Sequence, residues 1–127
     1  MLDNRSMPPS AVIPVLSCPD VVEESAWLRQ AFGFLERLAM GAHRVQLSYG
    51  SGSLVLAQGP VTPANVMVRV EDADAHCARA RAAGATIVAE PADFPYGERQ
   101  YTATDPLGHT WTFSQTIADV DPADWLH

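Results

Sequence analysis

The residues of this chain that could hold a metal or attack a substrate are few and scattered. Of its four histidines, His43, His76, His109 and His127, no two stand at the i, i+4 spacing that puts two imidazoles on one helix face. Cys18 and Cys77 form no C-x-x-C pair, and two cysteines are too few for a disulfide scaffold. The histidines therefore read as surface or hydrogen-bonded structural groups, His109 especially, and Cys77 as a small core residue. Gly50-Ser51-Gly52 joins two strand-like runs rather than a strand to a helix, so it is no phosphate-cradling loop. No serine lies in a nucleophile-elbow context, and Glu23-Glu24 suits the positive end of a helix better than acid–base work. Arg69 has the clearest chemical reach. A mid-strand arginine between valines either meets an anionic ligand or pairs with an internal carboxylate, because an unpaired buried charge is too costly. Tyr96 and Arg99, ahead of the last hairpin, also have two readings: they grip a ligand by stacking and bidentate hydrogen bonds, or they anchor their loop. Acid–base chemistry through Tyr96, Glu98 or Arg99 is a third option that nothing in the pattern demands.

The elements that must position these groups repeat. A strand, Ala11–Ser17, leads through Asp20 into a helical stretch that stops at Gly33. A second strand, Asn65–Val70, leads through Asp72 into a helical stretch that stops at Gly84, at nearly the same spacing. Asp20 caps the first helix and Glu23 completes a capping-box pattern, while Asp72 caps the second. Both glycines suit the left-handed residue that ends a helix. Val21, Leu28, Phe32 and Leu35 give the first helix an apolar face. Ala73, Cys77, Ala80 and Gly84 give the second a narrow small-residue stripe. Three strand-like runs follow each helix: 34–38, 43–49 and 53–58 in the first half, 86–89, 99–104 and 110–115 in the second. Gly50-Ser51-Gly52 and Asp105-Pro106-Leu107-Gly108 turn the last pair of strands in each half. The order is β-α-β-β-β twice, an α+β chain joined by residues 59–63.

Length and composition bound the partners. The 127 residues suffice for one domain-sized core, and 47% are apolar, unlike a disordered chain. A formal charge of −7 repels phosphate backbones and anionic lipid, so neither nucleic acid nor membrane is an expected partner. No apolar run approaches the roughly 18 residues of a membrane span, and the start reads as no secretion signal. A cytoplasmic location is the expectation.

A twice-repeated βαβββ unit resembles the glyoxalase, bleomycin-resistance and extradiol-dioxygenase superfamily, the vicinal oxygen chelate fold. The segment Val70 to Ala85 is similar to the second-module strand-into-helix of that group. Tyr96-Gly97-Glu98-Arg99, with Asp105-Pro106-Leu107-Gly108-His109-Thr110-Trp111-Thr112-Phe113, is similar to the closing hairpin of its glyoxalase-like branch. The resemblance covers 11–115 and implies a cupped mixed sheet. The expected organisation is an arm over 1–10, a domain over 11–117 (modules 11–59 and 65–117), and a tail over 118–127 with one helical turn around Trp125. It also implies a homodimer in which the arm and the Trp125 tail wrap a partner.

Metal-using members of that group carry His, Gln or Glu at four positions. Matched residue by residue, these fall here on Ile13, Leu56, Asn65 and Thr112, with Gln58 the one nearby rescue in the first module. Ile and Leu offer no donor, and Asn and Thr are poor ones, so neither metal nor other cofactor is expected. Alternation along the strands then gives the lining. If Val66, Val68 and Val70 pack on the helix, Asn65, Met67, Arg69 and Glu71 face the cup. If Trp111 and Phe113 face the helix, Thr110, Thr112 and Ser114 do not. Gln46 and Ser48 alternate against Val45, Leu47 and Tyr49, so one of the two sets faces inward. Ile13, Val15, Leu54 and Leu56 form an expected apolar wall. The expected ligand-binding residues are thus Asn65, Met67, Arg69, Tyr96, Arg99, Thr112, Ser114, Gln46 and Ser48, holding a small organic molecule by burial and a few hydrogen bonds. A metal-dependent lyase, isomerase or dioxygenase of the same superfamily is the alternative.

Overall fold

The computed structural model describes residues 2–126; Met1 of the arm and His127, the last of the four histidines, lie outside the described residues. The chain divides between Thr62 and Pro63 into two compact units.

The first unit holds β1 (Val15–Cys18), α1 (Val21–Phe32), β2 (Leu35–Met40), β3 (Arg44–Tyr49) and β4 (Gly52–Gln58). Asp20 accepts the Glu23 backbone N–H at 3.0 Å, and Gly33, at φ 82°, closes the helix by donating to the Arg29 carbonyl. The sheet runs β1-β4-β3-β2, with β1 parallel to β4 and the other pairs antiparallel. β1 is shorter than the strand expected from Ala11. The chain at Pro14 contributes only its carbonyl, which accepts the Val55 N–H at 2.9 Å. Leu16, Cys18, Val45, Leu47, Leu54 and Leu56 share one face and are all buried under α1, whose Val21, Leu28, Ala31 and Phe32 are fully covered. Burying each Val, Leu or Phe among them contributes about 1.5–3 kcal/mol.

That register corrects the expected apolar wall. Leu54 and Leu56 lie on the helix side, whereas Val15 pairs with Val55 on the opposite face, together with Gln46, Ser48 and Ser53. The run Leu54-Val55-Leu56 is apolar on both faces, so alternation alone could not choose between them.

The second unit repeats the plan: β5 (Asn65–Arg69), α2 (Ala73–Ala82), β6 (Thr86–Phe94), β7 (Glu98–Thr104) and β8 (Thr110–Thr116), in the order β5-β8-β7-β6. Asp72 caps α2 through the Ala75 N–H at 3.0 Å, and Gly84 takes φ 96° beyond its end. Ala73, Cys77 and Ala80 are buried. Their small size lets α2 sit close to Tyr101, Ala103, Trp111 and Phe113, all at most 1% exposed. β6 runs past its expected end at Ala89 and through Pro91. It is an edge strand whose register shifts around Ala89–Ala92, where a missing N–H is tolerated. A 3-10 turn, Pro122–Asp124, follows β8, with Asp121 capping it.

Candidate functional site

The face of the second sheet turned away from α2 carries the polar residues of three strands. Because directly paired residues share a face, the register sets Asn65 and Thr104 beside Thr110, Met67 and Thr102 beside Thr112, and Arg69 and Gln100 beside Ser114. Glu98 pairs with Thr116 across β7 and β8 and with Phe94 across β6 and β7.

These side chains form a directed hydrogen-bond chain. The Tyr96 hydroxyl donates to Gln100 Oε1 at 3.0 Å, Gln100 Nε2 donates to Ser114 Oγ at 3.0 Å, and Ser114 Oγ donates to Glu98 Oε1 at 2.7 Å. From the other side Arg69 Nη1 donates to Thr116 Oγ1 at 2.6 Å. The Ser114 hydrogen bond does most to hold the Glu98 carboxyl below its ordinary range. Partial burial opposes it, and the Thr116 hydroxyl and the Arg69 charge assist. Ser114 is buried, Glu98, Gln100 and Tyr96 are half-buried, and Asn65, Met67 and Arg69 are exposed. Thr102 and Thr112 share a hydroxyl hydrogen bond of 3.2 Å.

Aromatic rings flank this network. Phe94 stacks on Tyr96 with centroids 5.5 Å apart, and Trp125 from the tail packs on Tyr96 at 5.0 Å. The tail is held by Gly97, whose carbonyl accepts the Ile117 N–H at 2.8 Å and the Ala118 N–H at 3.3 Å. A Cβ on Gly97 would stand 2.4 Å from the Ala118 carbonyl oxygen, and its φ of +84° also demands glycine. The tail thus meets its own unit, where the resemblance implies that it wraps a partner.

Arg99 is elsewhere. It alternates with Gln100 and shares the α2 side with Tyr101. There it donates to Asp74 of α2 at 3.0 Å and to Asp93 of β6 at 2.9 Å. Of its two readings, anchoring matches this placement; gripping a ligand on the polar face does not. The alternation Glu98, Gln100, Thr102, Thr104 carried this information in the sequence, and it would also have added Gln100 and Thr116 to the candidate set. Phe94 carried no sequence signal, because its place depends on a shifted edge strand.

In the first unit the corresponding face is covered by the arm. Gln46 Nε2 donates to the Ser6 carbonyl at 2.8 Å, and its Oε1 accepts from Arg37. Arg37 Nη2 donates to the Arg5 carbonyl at 2.9 Å, and Ser10 Oγ lies 2.7 Å from both the Ser51 carbonyl and Ser53 Oγ. Pro8 is buried and Gln46 is 1% exposed. The arm expected to wrap a partner therefore lies on its own sheet, and Gln46 is committed to it. Ser48, between Leu35 and Ser53 on that face, is half-buried.

The metal-ligand positions of the resemblance do not suit a divalent cation. Leu56 faces α1, Gln58 has the same parity and ends its strand beside Cys18, and Ile13 precedes β1. A shift of one residue from Leu56 reaches Val55 or Ala57, neither a donor. Asn65 stands at the exposed start of β5, and the Thr112 hydroxyl is engaged by Thr102. Neither unit, taken by itself, gathers three His, Cys, Asp or Glu ligand atoms among the described residues.

The remaining reactive side chains have structural work. Asp105 accepts from the Leu107 and His109 backbone N–H groups (3.0 Å each), from His109 Nδ1 at 2.8 Å and from Trp111 Nε1 at 3.1 Å. This buried hub fixes the turn between β7 and β8. His76 hydrogen-bonds the Tyr101 hydroxyl and packs on Phe113 at 4.2 Å, and His43 is exposed before β3. Burial pushes the Cys77 thiol up, which makes it a poor nucleophile. Glu24 is buried in the first turn of α1, more deeply than helix-end electrostatics requires.

Comparison with known proteins agrees with the architecture. A family model described as Glyoxalase/Bleomycin resistance protein/Dioxygenase superfamily matches residues 15–113. The crystal structure of TioX from Micromonospora sp. ML1 is similar at TM-score 0.73 and 33% identity, over 85% of this chain and 99% of that one. Lactoylglutathione lyase from Agrobacterium tumefaciens is similar in fold, at TM-score 0.69 and 20% identity, over 86% of this chain and 96% of that one. An uncharacterized Mycobacterium tuberculosis protein, Rv0887c, is 38% identical over 60 residues, which are 47% of this chain and 35% of that protein. The chain thus matches only about a third of that relative's length.

Proposed function

The chain belongs to the glyoxalase/bleomycin resistance protein/dioxygenase superfamily, and from that membership we propose that it binds a small organic molecule without a metal, on the polar face of its second sheet. The observation that carries this reading is the directed chain from Tyr96 through Gln100 and Ser114 to Glu98. A surface of scattered solvated polar residues has no reason to orient three successive donors toward one carboxylate. An apolar flank with a few fixed polar groups is the usual composition of a small-molecule site. Asn65, Met67, Arg69, Tyr96, Thr112 and Ser114 supply the contacts. Asn65 and Thr112, where superfamily metals would be held, support binding over metal-assisted chemistry.

The chemistry open to these residues is recognition. Glu98 and the Tyr96 oxygen accept hydrogen bonds, the free guanidinium edge of Arg69 donates, and Phe94 and Trp125 offer ring surface. The test is metal analysis of freshly purified protein together with native mass spectrometry for a retained molecule. The expected result is sub-stoichiometric Ni, Mn, Fe and Zn and no melting-temperature rise on adding any of them. A stoichiometric metal with a clear thermal shift would overturn the reading in favour of a lyase, isomerase or dioxygenase. The resemblance also supports a proposed homodimer, which light scattering at micromolar concentration checks.

A further inference from the structure

We infer that the ligand class of this face is the organic cation: a primary ammonium carried on an apolar or aromatic body. The inference rests on the binding reading above and adds what the site selects.

Charge favours a cation at this face. Glu98 is the carboxylate on which the hydrogen-bond chain of the polar face ends, and its hydrogen bonds come from neutral hydroxyls, Ser114 and Thr116. It belongs to none of the ion pairs of the described residues. The Arg69 charge is felt at Glu98, but its Nη1 is directed to Thr116 rather than paired with the carboxylate. The acids on neighbouring elements are differently placed: Asp74 and Asp93 are paired with Arg99 on the α2 side, Glu90 with Arg81, and Asp105 with its four donors. A half-buried carboxylate that is ionised, hydrogen-bonded and in no ion pair can receive a positive group.

Donor direction favours it as well. The Tyr96 and Ser114 hydroxyl protons and one Gln100 N–H are directed along the chain toward Glu98, so the two hydroxyls present lone pairs to a ligand. A ligand that donates fits these two oxygens and the carboxylate. So does the aromatic flank. Phe94 stands directly across from Glu98, is 39% exposed, and begins the row Phe94, Tyr96, Trp125. Aromatic ring faces carry negative quadrupole charge and attract ammonium groups within about 6 Å. Carboxylate, acceptor row and ring faces have one sign in common, and Arg69, the cation of this face, directs its Nη1 to Thr116.

The test uses three soluble probes that share one ring: benzylammonium, benzyl alcohol and benzoate, titrated into the full-length protein. Trp fluorescence and amide chemical shifts of Gln100, Ser114 and Trp125 give the readout. The expected order is benzylammonium tightest, by roughly tenfold over benzyl alcohol, with benzoate weakest. Glu98→Gln, isosteric and able to keep the Ser114 hydrogen bond, reduces the cation to parity with the alcohol. Phe94→Leu lowers the cation's advantage while leaving Glu98 in place. Benzyl alcohol or benzoate binding as well as benzylammonium overturns the inference and leaves the binding reading standing. Failure of all three to shift these amides overturns both.

Discussion

Replacing Asp105 with alanine is the most demanding test of how the turn between β7 and β8 is built. The Asp105 side chain is completely buried and accepts four hydrogen bonds: two from backbone N–H groups, one from His109 Nδ1 and one from Trp111 Nε1. Alanine leaves these donors without their acceptor. His109 and Trp111 are each at most 1% exposed, so water does not readily replace it. Leaving a buried donor unsatisfied costs about 1–3 kcal/mol, and bonds to charged groups lie at the upper end. Two fully buried side-chain donors and one buried backbone donor set the expected loss at about 3–5 kcal/mol. That is a large share of the roughly 5–15 kcal/mol that holds a small domain together. The assay is urea unfolding followed by far-ultraviolet circular dichroism, with the slope compared between variants. Asp105→Asn is the internal control. It keeps one oxygen for the two backbone donors and loses the acceptor shared by His109 Nδ1 and Trp111 Nε1, for an expected cost of about 2–3 kcal/mol, below that of alanine. An Asp105→Ala protein within about 0.5 kcal/mol of the parent would refute the hub.

Three further outcomes follow from the same structure. Gly97→Ala forces a β-carbon against the Ala118 carbonyl at a positive φ, so the tail lifts off Tyr96, with a stability loss of about 1–3 kcal/mol and red-shifted Trp125 emission; unchanged emission would show that the tail is not held there. Glu98 has a depressed carboxyl in the folded state, so its contribution is present above the ordinary carboxylate range and is lost as pH falls through the folded value. Glu98→Gln should therefore be less stable than the parent near neutrality, with the gap closing in acid, and a gap that widens in acid would contradict the assigned direction. Deleting residues 2–9 removes the two carbonyl acceptors of Arg37 and Gln46 and the buried Pro8, for a loss of about 1–3 kcal/mol; an unmoved urea midpoint would mean that the arm is no part of the first unit's packing.

The amino-acid order alone determined the repeated βαβββ plan, because its signals are local. Asp20 and Asp72 cap, Gly33 and Gly84 terminate, and Gly50 and Gly108 turn, each within a few residues of what it acts on. It also determined the polar face of the second sheet, where Val66 and Val68 alternate with Met67 and Arg69, and Trp111 and Phe113 alternate with Thr112 and Ser114. Arg99 was legible by the same rule, since it shares parity with Tyr101. Only the tertiary structure decided the rest. Leu54-Val55-Leu56 and Val45-Gln46-Leu47 are buried on both faces, with α1 on one side and the arm bonded to Gln46 on the other, so their alternation carries no inside or outside until register and arm are placed. The state of Glu98 depends on Ser114 and Thr116, and the partners of Arg99 lie on α2 and β6. Those contacts depend on the register of the β6–β7 and β7–β8 hairpins and on where α2 lies against the sheet, and residue order does not specify the energy of such an encounter.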